Sequence, residues 1–158
     1  MTLEELLARE GIRKTMARYT MAGDRLRVDE FAAVFTQDGV IETEGVSEKD
    51  RFRYEGRAAI RAWLARFLDT RSDSAWTGPK FLRHHLSTCM IELTGPDAAK
   101  TRTYWVAYSD LGPDHAGYYV DDFRKVNDEW LIAHRRIRED WRLAQSRTGE
   151  TVTVTRQR

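Results

Sequence analysis

A single cysteine, Cys89, stands in the 158 residues, so no disulfide forms within the chain, and the lone thiol suits a reducing compartment. With no second cysteine nearby, a cysteine-rich zinc site is excluded as well. Neither sign of charge dominates. The 26 Lys and Arg against 25 Asp and Glu leave a formal charge of +1, which gives no case for nucleic acid as a partner. No apolar run approaches the ~20 residues of a membrane span. The start, Met1-Thr2-Leu3-Glu4-Glu5, is acidic and lacks the basic opening and apolar run of a signal peptide, so a soluble cytoplasmic protein is expected. A Gly-rich phosphate loop and a Gly-x-Ser-x-Gly elbow are also missing. These absences leave acid–base chemistry by side chains, with neither cofactor nor metal expected.

The first part of the chain reads as helical. Thr2-Leu3-Glu4-Glu5 matches a capping box, and Leu3, Leu6, Leu7, Ile12, Met16 and Tyr19 recur at helical spacing, interrupted by Gly11. This predicts a helix over residues 2–23 that ends with Gly23 as its left-handed cap and hands over to Asp24. A short second helix carries Phe31, Val34 and Phe35 on one face, with Asp29 near its start. Asp38-Gly39 turns into a brief strand, Val40-Ile41-Glu42-Thr43, and residues 44–55 are charged and without pattern. Gly56 precedes a third helix over 57–68, with Ile60, Leu64, Phe67 and Leu68 as its stripe and Trp63 broadening it. The polar stretch Arg71 to Lys80, with Trp76 in it, reads as a connecting loop, the less common alternative being a lid over a pocket.

From Phe81 onward the pattern is of strands: Phe81 to Leu93, Ala98 to Asp110, Tyr118 to Val126, and Trp130 to Ile137 or as far as Trp141. Turn signals at Gly95-Pro96-Asp97, Gly112-Pro113-Asp114 and Asn127-Asp128 separate them. Helices first and a strand meander afterwards predict an α+β domain over residues 1–145, with helices on one face of a curved antiparallel sheet. A polar, basic tail, 146–158, follows; its alternating Thr151-Val152-Thr153-Val154-Thr155 fits an added strand, but a frayed terminus is the more common case.

Within this frame a few residues carry possible chemistry. Side chains alternate across a strand, so the adjacent His84 and His85 face opposite ways, and one of them at most shares a site with Tyr19 and Asp24. A carboxylate beside a histidine fixes its tautomer and makes the other ring nitrogen a better base, and a tyrosine hydroxyl nearby can donate to an oxygen that gains charge. Of Tyr104, Trp105, Tyr108, Tyr118 and Tyr119, about half should face inward. His134 shares the parity of Trp130 and Ile132 and reads as a core histidine. His115 reads as a solvated loop residue, and Arg135, Arg136 and Arg138 as an exposed sheet face or a subunit contact.

Several pieces occur in a characteristic order: Tyr19-x4-Asp24, Phe35-Thr36-Gln37-Asp38-Gly39, Gly56-Arg57-Ala58-Ala59-Ile60 and Arg83-His84-x-x-Ser87. Gly117-x-Tyr119-x-Asp121-x-Phe123 and Trp130-x-Ile132-x-x-Arg135 complete the set. Over residues 2–142 this arrangement resembles the SnoaL-like branch of the nuclear-transport-factor-2-like superfamily. The resemblance implies a cone-shaped α+β barrel, its sheet bent around a pocket that the N-terminal helices close. It also implies that His84, rather than His85, pairs with Asp24, assisted by Tyr19, as in the scytalone dehydratases and bile-acid dehydratases of that superfamily. Thr88, where asparagine is common, and Ala107 and Tyr108, near a position that is acidic in the bile-acid enzyme, depart from the pattern. The resemblance thus implies a cofactor-independent lyase or isomerase, dehydratase-like, acting on a small, largely apolar, cyclic molecule. Trp63, Trp105 and Tyr119 would line its pocket. The alternatives are a non-catalytic ligand binder, or an assembly subunit like the β-subunits of ring-hydroxylating dioxygenases. A homodimer or homotrimer through the strand faces of residues 98–142 is expected, with no nucleic-acid or membrane partner.

Overall fold

The computed structural model describes residues 1–44, 50–70, 79–143 and 146. The loop predicted around Trp76 and the basic tail beyond Ser146 lie outside them. Helix α1 (Leu3–Asp24) opens with the predicted capping box: Thr2 and Glu5 bond reciprocally through side chain and backbone. Gly11 does not break it. A Cβ there would sit 2.8 Å from Trp130 Cδ1, so the missing side chain lets the indole press against the helix. Thr15 Oγ1 donates to the Trp130 carbonyl, and Arg9 Nη1 donates to the Ile91 carbonyl, which ties α1 to two distant strands.

The end of α1 differs from the sequence expectation. Gly23 lies inside the helix, where a Cβ would come within 3.2 Å of the Phe31 ring. The left-handed residue is Leu26, at φ 55°, and Arg27 N donates to the Ala22 carbonyl while Leu26 N donates to the Gly23 carbonyl, a Schellman ending. Asp24 is therefore the last residue of the helix rather than a turn residue beyond it. Helix α2 (Val28–Ala33) comes next, and Phe35, expected on its face, opens strand β1 (Phe35–Glu44), which is longer than the predicted four residues. Strand β2 (Arg53–Glu55) arises in the stretch that carried no pattern. Helix α3 (Arg57–Thr70) is anchored by Arg57, which donates twice to the Phe35 carbonyl.

Strands β3 (Arg83–Gly95), β4 (Ala98–Ser109), β5 (Gly112–Val126) and β6 (Glu129–Arg142) form the predicted meander. The sheet order is β2-β1-β6-β5-β4-β3, curved and open at both edges. All neighbours are antiparallel except β1 and β6, which run parallel, so the sheet is mixed and not wholly antiparallel. The core fills the concave side, where Ile12, Met16 and Tyr19 of α1 meet Phe31, Phe35, Ile91, Trp105, Tyr119, Phe123 and Ile132. Leu3, Leu6 and Leu7, expected in the same stripe, lie exposed on the first two turns of α1, and Phe67 and Leu68 are exposed on α3.

The inward parity of β6 changes twice. Register shifts opposite Asp122/Phe123 and Ala116/Gly117 leave one extra β6 residue at each place, Ala133 and Asp140. Burial accordingly runs through Trp130 and Ile132, then Arg135 and Glu139, then Arg142. Arg135, expected on an exposed face, is thereby turned into the core and is 0% exposed. His134 is partly buried on the opposite face, where its Nε2 meets Glu42 Oε1 at 2.6 Å, so it is not the core histidine expected from strict alternation.

Candidate active site

Asp24 and His84 meet where the end of α1 crosses the start of β3. Asp24 Oδ1 lies 2.6 Å from His84 Nδ1, and Oδ2 accepts the backbone N–H of the same histidine at 3.0 Å. A carboxylate only accepts, so Nδ1 carries the proton and Nε2 is left with a lone pair. The two-point grip fixes both the tautomer and the plane of the ring. The Asp24 side chain is 7% exposed and that of His84 25%, which leaves the imidazole within reach of a ligand while its partner is shielded. His85 projects to the other face, exposed, with its ring against Tyr108.

A second acid–histidine pair stands beside the first. His115, expected in a solvated loop, lies on β5 and is buried. Its Nδ1 is 2.6 Å from Asp114 Oδ1, which also accepts from Ser146 Oγ. The His115 and His84 rings meet edge to face at 5.5 Å, and Trp105 packs on both, at 5.2 Å from His115 and 5.7 Å from His84. Register explains the grouping: His84 pairs with Ala107, and Ala107 pairs with His115, so the histidines flank one small residue on the concave side. The parity of Tyr119, Asp121 and Phe123, extended back along β5, was the sequence signal that pointed His115 inward.

Below this layer lies a buried ion pair. Arg135 Nε and Nη2 donate to Asp121 Oδ1 and Oδ2 at 2.8 and 2.7 Å, and Thr101 Oγ1 adds a third bond to Asp121. The guanidinium lies 4.0 Å from the ring centres of both Tyr19 and Tyr119. Burial pulls the Arg135 pKa down, but the Asp121 carboxylate outweighs it and holds the guanidinium above its ordinary value, so it stays charged. Burial pushes the Tyr19 phenol up, partly countered by Arg135, and pushes Tyr119 well up. Both hydroxyls thus remain protonated and able to donate.

The predicted pocket residues divide. Trp105 stacks on Tyr119 at 5.5 Å, and Tyr119 meets Tyr19 at 5.8 Å, so these three form one wall. Trp63 belongs to a second aromatic group with Phe52 and Tyr54, joined to the first through Phe31. A cavity of about 380 Å³ opens separately between α1 and β3, reaching Met16, Leu86, Cys89 and Thr103 without including either histidine. Among the described residues no three His, Cys, Asp or Glu side chains gather as a metal site, and no helix is long and apolar enough to cross a membrane.

Comparison with solved structures places this architecture. A putative scytalone dehydratase from Novosphingobium aromaticivorans DSM 12444 superposes with a TM-score of 0.75 at 23% identity, covering 100% of both chains. A protein of unknown function with a cystatin-like fold from Nostoc punctiforme PCC 73102 gives 0.68 at 24% identity, covering 84% of this chain and 90% of that one. ActVI-ORFA from Streptomyces coelicolor gives 0.66 at 18% identity, covering 84% and 97%. At these identities the likeness is one of fold. No curated protein matches the chain significantly. The sequence pattern of the SnoaL-like domain matches residues 4–136, nearly the whole chain, and the protein belongs to the SnoaL-like family.

Proposed function

We propose that this protein is a cofactor-independent acid–base lyase or isomerase, dehydratase-like, acting on a small, largely apolar, cyclic molecule. The observation that carries this reading is the 2.6 Å hydrogen bond that His84 Nδ1 donates to Asp24, which leaves Nε2 as the base on a partly exposed ring. His84 takes a proton from carbon, Asp24 stabilises the imidazolium that forms, and the neutral Tyr19 hydroxyl donates toward the substrate oxygen. His115, bonded through Nδ1 to Asp114, stands beside His84, where the proton can be returned or a leaving group met. The aromatic wall of Trp105 and Tyr119 supplies the apolar surface such a molecule needs.

The test is turnover and binding with a panel of cyclic ketones and β-hydroxyketones. His84→Ala and Asp24→Asn should each lower turnover by ~10²–10⁴-fold while affinity stays close to wild type. Tight binding with no turnover of any panel member by the wild type would instead make the protein a ligand binder. We further propose a homodimer or homotrimer through the outer faces of β4 to β6, supported by the exposed Tyr104 and the arginine-flanked Tyr118 on that surface.

A further inference from the structure

Trp105 is buried, packs on both histidines and stacks on Tyr119, yet its indole Nε1–H has no hydrogen-bond partner among the described residues. The indole nitrogen can only donate, so no other role satisfies it. Unpaired buried polar atoms are rare in folded proteins, and each one asks for a reason. A second such atom, Arg135 Nη1, belongs to the guanidinium packed on the same Tyr119 ring. The other two such atoms among the described residues, Glu139 Oε1 and Arg142 Nε, lie 2.7 Å apart within one ion pair, which leaves two donors. The indole N–H is thus a buried donor without an acceptor, as a group awaiting a ligand oxygen would be.

We propose that Trp105 is a ligand-binding residue whose Nε1–H receives the carbonyl oxygen of a cyclic ketone, with the carbon beside that carbonyl set against His84. This rests on the acid–base role of His84 and narrows its substrates to enolisable ring ketones. The step balances without a co-reactant. The α-carbon C–H bond breaks as an N–H bond forms on His84 Nε2, the electron pair becomes the enolate double bond, and the former carbonyl electrons settle on oxygen. There the indole N–H meets a growing negative charge, where a hydrogen bond strengthens as the reaction proceeds. Return of the proton to carbon regenerates the imidazole.

The experiment uses the whole chain, labelled with ¹⁵N in its indole groups, and two probes of the same shape: 1-tetralone and the hydrocarbon 1-methylenetetralin. The Trp105 resonance is assigned with W105F. Tetralone should move the Trp105 indole proton downfield and the hydrocarbon should not. W105F should weaken tetralone by about two- to tenfold more than it weakens the hydrocarbon, the range expected for one neutral hydrogen bond. An indole proton that tetralone leaves in place, tetralone that fails to bind at millimolar concentration, or equal losses for both probes would each overturn the proposal. Should W105F not fold, the resonance is assigned by elimination with W63F, W76F, W130F and W141F, and its shift in the wild type decides. His84→Ala should keep the indole shift while losing exchange of the α-protons of tetralone into heavy water. A wild type that shows the shift without the exchange would remove the acid–base role and leave the Trp105 assignment standing.

Discussion

An imidazole gripped at Nδ1 differs from a free one because its second nitrogen is always the base and always points the same way. Asp24 achieves this with both oxygens, one on the ring and one on the backbone of the same residue, so histidine and carboxylate act as a unit. The losses from His84→Ala and Asp24→Asn should therefore be non-additive, the double variant being scarcely slower than the worse single one in steady-state turnover. His85→Ala, on the convex face, should stay near wild type; an equal loss there would mean the base is misassigned. The two buried phenols give a prediction of another kind. Tyr19 and Tyr119 are raised by burial in the folded chain, while in the unfolded chain they ionise near ~10. The folded state thus holds on to protons that the unfolded state releases. The stabilisation is complete below about pH 10 and is lost as pH climbs from there toward the folded values. Phenolate absorbance followed together with circular dichroism should show the last tyrosines ionising with unfolding; six phenolates appearing while the fold persists would contradict it.

Among the elements, β6 shows where alternation fails as a guide. Read strictly from Trp130 and Ile132, it puts His134 inside and Arg135 outside, and the bulge at Ala133 reverses both. A bulge leaves no mark of its own in a single sequence, but a conflict did exist. Asp121 shares the inward parity of Tyr119 and Phe123, and a buried carboxylate requires a cation. Arg135 reaches it only if β6 is bulged, so the pair was the legible trace of the irregularity. By contrast the pairing of Asp24 with His84 is implied by the family-like pieces Tyr19-x4-Asp24 and Arg83-His84-x-x-Ser87, and not by the cap of α1, which the pattern misplaces at Gly23. In the structure Asp24 Oδ1 lies 2.6 Å from His84 Nδ1. The Asp121–Arg135 pair also makes a stability prediction. Asp121→Leu leaves an uncompensated guanidinium in the core and should cost about 3–5 kcal/mol in urea unfolding. Adding Arg135→Met should recover most of that loss, since an apolar pair of similar volume is tolerated there. A single variant as stable as wild type would mean that the carboxylate is not what keeps Arg135 buried.

For the whole molecule, order of elements conveyed the α+β architecture, whereas the parallel pairing of β1 with β6 joins segments about a hundred residues apart and has no local signature. That pairing leaves an open sheet with its helices on the concave side, and the convex side bare among the described residues. The convex surface is not a plain solvated face. Arg136 and Arg138 both reach Glu44, Arg136 also reaches Asp122, and Arg53 and His134 share Glu42, so its charges are largely matched within the chain. At its centre Arg102 and Arg138 lie over the Tyr118 ring, with Tyr104 edge-on beside it. Tyrosine and arginine without net charge is the composition of an interface centre rather than of a surface kept apart by repulsion. A homodimer or homotrimer formed there should appear in light scattering at micromolar concentration. Tyr104→Asp, which places an unmatched charge in the patch, should shift it toward monomer while leaving the Asp24–His84 pair intact, because the two lie on opposite faces of the sheet. A wild type that scatters as a monomer, or a Tyr104→Asp protein that keeps its oligomeric mass, would move the contact elsewhere or remove it.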